Sequence, residues 1–329
     1  MVVNNTQKNY ALHNKTIPIS CVIPCFNESE AIQDFLIALI NQLQQITSNF
    51  KLIIIDDGSI DDTLQVILNF KLSELYKNFS IKLIQFSKNF GKEAALLAGL
   101  DAANINQSAV TIIIDADFQH PIDLIPTFLE QWANGADMVY GIRNNRDDES
   151  WIKRIFTKSF YAILNASTQV NITANAGDFR LLDQKTVLAL VQCKEKNRFT
   201  KGLYAWVGFK SIGIEFQVNP RKKGKSTFSL KKLTELAITG ITSFSNVPLR
   251  IWGLVGLCIA SIAFLYALII VIKTIIYGVD LPGYASLMIA IMFFGGIQLF
   301  SIGILGEYIA KIFTEVKQRP NYIIKNIFE

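Results

Sequence analysis

Two uncharged apolar stretches, Ile251–Ile272 and Leu281–Gly306, close a chain whose earlier residues alternate strand-like and helix-like apolar runs. As a helix rising about 1.5 Å per residue, each is long enough to cross a hydrocarbon core of about 30 Å. A buried core helix seldom stays uncharged for so long, so the two stretches predict two membrane spans. The fold is thereby restricted to a water-facing domain followed by a helical hairpin in lipid. Such a pairing suits chemistry done in water on something held in lipid.

The bulk properties agree. Half of the 329 residues (50%) are hydrophobic and the mean hydropathy is +0.30, with the excess concentrated after Val247. The net charge of +5 is modest. Its placement says more. Arg221, Lys222, Lys223, Lys225, Lys231, Lys232 and Arg250 precede the first stretch, Lys311, Lys317, Arg319 and Lys325 follow the second, and only Lys273 and Asp280 lie between. By the positive-inside tendency both flanks stay cytoplasmic and the short connection is translocated. The expectation is a multi-pass membrane protein with its N-terminal domain and both termini cytoplasmic. Met1–Lys15 has no apolar core and is expected not to act as a signal peptide.

Cys21, Cys25, Cys193 and Cys258 form no disulfide framework. A Cys21–Cys25 metal or redox pair is the alternative to two buried thiols in a reducing compartment. With His13 and His120 the only histidines, a histidine-rich metal site is excluded. No Gly-x-Ser-x-Gly elbow accompanies them.

Apolar spacing predicts strands at Ile17–Pro24, Lys51–Ile55, Ile81–Phe86 and Ala109–Ile114, and helices at Ser29–Ile46, Asp61–Phe70 and Gly91–Ala103. The alternation implies an α/β fold, a parallel sheet with helices on both faces, whose ligand site lies at the carboxyl ends of the strands. Asn27-Glu28, Asp56-Asp57 and Asp115/Asp117 sit at such ends. Farther on, Asn144–Trp151 reads as a polar loop, Trp151–Leu164 as a helix near a membrane surface, Asn219–Thr227 as a basic loop and Ser229–Phe244 as an amphipathic helix. The divisions are a flexible N-terminus (1–16), an α/β domain (17–228), an amphipathic interfacial helix (229–247), a two-helix membrane domain (248–310) and a cytoplasmic tail (311–329).

Asp115-Ala116-Asp117-Phe118-Gln119 brings two carboxylates and a carboxamide to one strand end, hard oxygen ligands suited to Mg²⁺ or Mn²⁺ on a diphosphate. A solvated acidic turn is the alternative. In Asp56-Asp57-Gly58-Ser59 a carboxylate can accept from a base N–H or a ribose hydroxyl, and Gly58 permits a tight turn. An Asx turn capping the next helix fits the same residues. No Gly-x-Gly-x-x-Gly follows the first strand and no Gly-Lys-Ser/Thr loop occurs, which counts against dinucleotide enzymes and ATPases.

Val22-Ile23-Pro24-Cys25-Phe26-Asn27-Glu28, Asp56-Asp57-Gly58-Ser59, Asn89-Phe90-Gly91-Lys92-Glu93 and Asp115-Ala116-Asp117-Phe118-Gln119-His120-Pro121 occur in that order. The set resembles inverting nucleotide-sugar glycosyltransferases of the GT-A fold, in the polyprenyl-phosphate branch that includes dolichol-phosphate mannose synthase. Gly177-Asp178-Phe179-Arg180-Leu181, Arg221-Lys222-Lys223-Gly224-Lys225-Ser226 and Gly306-Glu307-Tyr308 narrow the likeness to two-span bactoprenol glucosyltransferases. The likeness covers roughly residues 17–325. It implies a nucleotide-sugar pocket of Pro24, Asn27, Glu28, Asp57, Lys92 and Asp115, and a metal held by Asp115, Asp117 and Gln119. Arg143, Arg154, Arg180, Arg221 and Ser226 are the implied partners of an acceptor phosphate, and Asp115, Asp117 and Arg180 the implied catalytic residues. Ser226-Thr227-Phe228 departs from the family's Ser-Lys-Tyr, and Arg143–Glu149 lacks a glycine common there, which leaves Arg146 without a role.

A phosphate monoester, with a second pKa of about 6, is mostly a dianion at neutral pH and needs no base to attack a sugar carbon. Bringing it beside a diphosphate calls for a divalent cation and arginine forks. The expected reaction is inverting transfer of a hexose, glucose by family frequency, from a UDP-sugar to undecaprenyl phosphate for cell-envelope glycan or lipopolysaccharide modification. Galactose, an N-acetylhexosamine or an aminoarabinose derivative are alternative sugars. Membrane lipid is an expected partner, homo-oligomers are compatible with the small residues Gly295, Gly296, Gly303 and Gly306, and no nucleic acid is expected. Rival readings are a flippase or small channel, for which two spans without intramembrane charge offer little, a processive polysaccharide synthase, and an inactive scaffold.

Overall fold

The computed structural model describes residues 8–9, 12–13, 15–72, 80–144, 176–217, 247–278 and 283–329. The Ile/Leu/Val-rich runs between polar turns form strands, and the runs with apolar residues at every third and fourth position form helices. In chain order these are β1 (Ile19–Cys25), α1 (Ile32–Ile46), β2 (Phe50–Asp56), α2 (Thr63–Leu72), β3 (Ser80–Phe86), α3 (Lys92–Asn106), β4 (Val110–Ile113) and α4 (Ile125–Ala133). They are followed by β5 (Met138–Arg143), β6 (Ala176–Asp183), α5 (Gln184–Gln192), α6 (Thr200–Trp206) and β7 (Ser211–Phe216). Two long helices, α7 (Val247–Tyr277) and α8 (Tyr284–Val316), and a last strand, β8 (Ile324–Phe328), complete the chain.

Among the described residues eight strands make one sheet, in the order β7-β5-β6-β4-β1-β2-β3-β8. β3, β2, β1 and β4 are mutually parallel, the arrangement expected from alternating strands and helices. β6 runs antiparallel to both β4 and β5, and β7 is parallel to β5. Cys25 is level with Asp56, and Val22 with Ile113. Three strands therefore end along one edge, and the order reverses direction there between β1 and β4. That is where an open α/β sheet leaves a crevice for ligand.

Both faces of the central strands are covered, so β1 and β2 are apolar at nearly every position instead of alternating. On one face Cys21, Ile23, Leu52 and Ile54 pack with Phe35, Leu39 and Phe128 of α1 and α4. On the other, Val22, Ile53, Ile55 and Ile113 meet α3 and Leu203 and Tyr204 of α6. Gly99 permits α3 to lie close on β1, because a Cβ there would stand 2.1 Å from Val22 Cγ1.

Two segments outside the expected 17–228 domain pack onto it. Of the N-terminal residues expected to be flexible, Lys8 is buried, with its ammonium 2.8 Å from Asp183 and over the Trp132 ring. The segment expected as a cytoplasmic C-terminal tail returns to the sheet. β8 pairs antiparallel with β3, Tyr322 stacks on Phe86 at 5.1 Å and donates to Asp101 at 2.7 Å, and Asn326 donates to Gln85 at 2.9 Å. A five-residue strand behind Pro320 gives too short an apolar pattern to be separated from a tail by sequence.

Helix α8 contains a segment, Ala290–Val316, long and apolar enough to cross a membrane, whereas the described apolar part of α7 is shorter, Leu254–Tyr266. The two helices touch where Trp252 meets Phe300, with ring centroids 4.9 Å apart. Leu254, Phe264, Leu299 and Ile302 are exposed, as side chains facing lipid would be. At the end of α8, Glu315 accepts from the Lys196 and Asn197 amides at 2.7 and 3.2 Å, tying the hairpin to the α/β domain. The segments expected at Trp151–Leu164, Asn219–Thr227 and Ser229–Phe244 lie outside the described residues.

The Tyr322 contacts make a graded test of the returning segment. Tyr322→Phe, which removes one hydrogen bond, should cost about 1 kcal/mol, and Tyr322→Ala, which also removes the stacked ring, about 2–3 kcal/mol. Thermal unfolding of the detergent-solubilised protein measures both. Unaltered stability in Tyr322→Ala would show that the segment does not hold the domain.

Candidate active site

The shared strand edge is assembled by loops that lock onto one another. After β1, Asn27 takes a left-handed backbone conformation (φ 55°), which asparagine tolerates. Its amide N–H donates to Ser59 Oγ at 3.0 Å, and its side-chain oxygen accepts from the Ile60 N–H at 2.9 Å. The Glu28 N–H donates to Thr63 Oγ1 at 2.8 Å. Asp57 is buried and accepts from the Phe90 and Gly91 amides at 2.7 and 2.9 Å, so it fixes the loop leading into α3. Burial pushes its pKa above the ordinary carboxylate value, although the two amides oppose the shift. Gly58 (φ +69°) lies against this loop, where a Cβ would stand 2.4 Å from the Lys88 carbonyl carbon. Pro24, Asn27, Glu28 and Asp57, expected around a nucleotide, thus lie on adjoining strand ends.

Beyond β4 the acidic loop turns sharply at Phe118 (φ 61°), whose ring packs edge-on against Phe35 at 5.5 Å. Asp117 Oδ1 accepts from the Gln119 N–H at 3.1 Å, closing the turn. Asp115 accepts from Lys92 Nζ at 2.8 Å, and the same ammonium lies 2.7 Å from Asp178 at the start of β6. Partial burial pulls the Lys92 pKa down, but the two carboxylates outweigh it and hold the ammonium above its ordinary value. Burial likewise raises Asp178, and Lys92 followed by Lys201 overcomes it, leaving this carboxyl well below the usual range. Both groups are therefore charged at neutral pH.

His120 is buried and stacked on Phe179 at 5.3 Å. Burial lowers its pKa, so the imidazole is neutral at neutral pH. Arg143 Nη2 lies 3.5 Å from His120 Nε2, and a guanidinium can only donate. Nε2 is then the acceptor and the proton sits on Nδ1, which faces Asp115 Oδ2 at 3.8 Å, beyond hydrogen-bond reach. Through His120, Arg143 is joined to the acidic loop.

Arg180, expected at an acceptor phosphate, lies on β6 two residues beyond Asp178. It is 4% exposed, donates from Nε to the Gly177 carbonyl at 3.1 Å, and lies over the rings of Tyr140 and Tyr204 at 4.8 and 4.0 Å. Strand alternation is the reason: Phe179 and Leu181 face one core, so Arg180 faces α6 and the other core, behind Asp178. Arg154, Arg221, Ser226 and Arg146 lie outside the described residues. Sequence reasoning assigned nothing to Asp178, although it stands in the Gly177-Asp178-Phe179-Arg180 motif. Asp56, singled out with Asp57 at this strand end, is buried, and its Oδ1 accepts from the Ser59 N–H at 3.0 Å while Oδ2 has no partner among the described residues.

Asp115, Asp117 and Gln119 offer hard oxygen donors, which fit Mg²⁺ or Mn²⁺ better than a thiolate- or imidazole-seeking metal. Among the described residues no three His, Cys, Asp or Glu side chains gather around one point. An ion here would complete its shell with phosphate oxygens and water, as Mg²⁺ commonly does.

Comparison with known proteins places this geometry. Residues 20–189 match glycosyl transferase family 2, and residues 247–312 match the GtrB C-terminal hairpin. A bactoprenol glucosyl transferase of Shigella phage SfV is 42% identical over 309 residues, 94% of this chain and 98% of its own. A prophage bactoprenol glucosyl transferase homolog of Escherichia coli is 41% identical over 310 residues, covering 94% and 99%. An uncharacterized glycosyltransferase of Synechocystis is 41% identical over 313 residues, covering 95% and 96%.

Arg180 gives the test of this arrangement. Arg180→Ala empties a buried site and leaves the Gly177 carbonyl without its donor, so it should destabilise the protein by about 2–4 kcal/mol. The KM for the lipid acceptor should stay unaltered in the folded fraction. A stable variant with a raised acceptor KM would place Arg180 on the acceptor after all.

Proposed function

The chain belongs to glycosyl transferase family 2, and from that premise we propose that it transfers glucose from UDP-glucose to undecaprenyl phosphate, inverting the anomeric carbon. The observation that carries this reading is the joint match to a family 2 domain and a GtrB hairpin, over nearly the whole length of relatives named for bactoprenol glucosylation.

The loops after β1 and β2 would hold the nucleotide, with Asp57 setting the position of the Phe90–Gly91 backbone beside it. Asp115 and Asp117, with Gln119, would hold a divalent cation, which when bound neutralises charge on the departing diphosphate. The acceptor phosphate is a dianion and attacks C1 of glucose directly. A bond forms from phosphate oxygen to C1 as the bond from C1 to the β-phosphate oxygen breaks, and UDP leaves with the electron pair. No proton has to be removed, consistent with a site whose one histidine is buried and neutral. Arg143, with Arg154, Arg221 and Ser226, would receive the lipid phosphate by charge-assisted donation.

Both α7 and α8 are proposed to cross the membrane. The pairing of β8 with β3 supports this, because a chain that leaves the catalytic domain and returns to its sheet must cross an even number of times. The catalytic domain and both termini then share the cytoplasmic side, in keeping with the flanking basic residues.

Purified enzyme incubated with undecaprenyl phosphate and a panel of UDP-sugars, followed by mass spectrometry of the lipid, tests the reaction. Glucosylated lipid from UDP-glucose is expected, and exclusive use of another sugar would overturn the donor assignment. Asp117→Asn should lower turnover by about 100-fold or more while the protein stays folded. EDTA should abolish wild-type activity, with Mg²⁺ or Mn²⁺ restoring it. Undiminished turnover in excess chelator would remove the metal from the mechanism.

Topology is read by thiol labelling of intact cells, after replacement of the native cysteines. A cysteine at Gly283 should react with an impermeant reagent and one at Glu329 should not. The reverse pattern, or labelling at both, contradicts the two-crossing arrangement.

A further inference from the structure

One ammonium serves two carboxylates at the heart of the site. Lys92 Nζ lies 2.8 Å from Asp115 Oδ2 and 2.7 Å from Asp178 Oδ2. Lys92 opens α3, with its side chain 45% exposed, whereas those of Asp115 and Asp178 are 19% and 17% exposed. The lysine is thus a long side chain reaching from the solvent edge between two more enclosed anions. Asp115 is also one of the two carboxylates that the proposed function gives to a divalent cation. An ammonium and a metal ion seek the same oxygen, and like charges so close repel strongly in a partly enclosed site. A single lysine on Asp115 therefore lowers the affinity of the empty site for a bare ion. A diphosphate adds negative charge and oxygen ligands of its own, which reverses the balance.

Resting on the assignment of Asp115 and Asp117 to the metal, we infer that Lys92 is a built-in counter-ion of the empty site. It holds the Asp115 half until the divalent cation arrives with the nucleotide sugar, and is then kept by Asp178, facing the diphosphate. Asp178 is the retaining group: without it the ammonium would belong to Asp115 alone. The arrangement makes metal binding depend on nucleotide and delivers a second positive charge to the leaving group when the site fills. Lys92 is in this sense a positioning residue for the donor, and Asp178 a positioning residue for Lys92.

The two residues should shift metal affinity in opposite directions, which loss of a merely structural ion pair does not do. Full-length enzyme in detergent is titrated with Mn²⁺, and free Mn²⁺ is read by electron paramagnetic resonance, with and without UDP. Wild type should bind bare Mn²⁺ weakly and much more tightly with UDP. Lys92→Gln should bind bare Mn²⁺ about tenfold or more tightly than wild type and lose most of the UDP enhancement. Lys92→Arg, which keeps the charge, should behave as wild type, and Asp178→Asn should bind bare Mn²⁺ more weakly. Should Lys92→Gln fail to fold, Lys92→Met in the Asp178→Asn background leaves no unpaired carboxylate at position 178. It should bind bare Mn²⁺ more tightly than Asp178→Asn alone. Equal or weaker bare-ion affinity in the folded Lys92 variants overturns this inference while the metal assignment stands. Absence of Mn²⁺ binding by wild type with UDP overturns both.

Discussion

Convergence of like charges at one edge of a parallel sheet is the constraint around which this structure is arranged. Parallel strands that stop at a common level bring the residues at and beyond their ends close together, and in this chain those residues are acidic: Asp56 ending β2 with Asp57 after it, and Asp115 and Asp117 after β4. Each carboxylate has its own means of staying there. Asp56 and Asp57 accept backbone amides, Asp117 closes its own turn, and Asp115 shares Lys92 with Asp178. Buried charges survive only when paired or hydrogen-bonded, so these contacts are conditions for the fold as well as for the site.

The same contacts connect otherwise separate parts of the chain. Lys92 joins the start of α3 to β4 and β6, and its neighbour Glu93 accepts from the Thr200 amide at 3.0 Å and from the Thr200 hydroxyl, fixing α6. Burial raises the Glu93 pKa against these hydrogen bonds. From α3 the connection runs through Asp101 and Tyr322 to the returning segment and so to α8. A catalytic domain tied at Glu315 and along β8 is held in one orientation beside its apolar hairpin, which suits an acceptor whose phosphate sits at a lipid surface.

Much of this was legible in the chain. The central strands and helices follow from apolar spacing because both sheet faces are covered and every strand interior must be apolar. The gathering of Asp115, Asp117 and Gln119 at one strand end, with Asp56-Asp57 at the end of another, was legible because polar residues directly after apolar strands of a parallel sheet come to a single edge. The edge strand β8 was not, since a short apolar run gains its identity only from the β3 edge it joins. Nor was the anchoring of Lys8, whose partner Asp183 is far away in sequence.

Sequence by itself determined the class of the domain, the apolar hairpin and the identity of the acidic loop, because local periodicity and residue chemistry suffice for each. Only the tertiary structure decided what those residues touch. Arg180 stands beside Gly177-Asp178 in sequence, and strand alternation sets its guanidinium against Tyr140 and Tyr204. Asp178 carried no assignment until β6 was laid against β4 and its carboxylate met Lys92. Pairings between residues remote in the chain depend on sheet order and register, which no local pattern encodes.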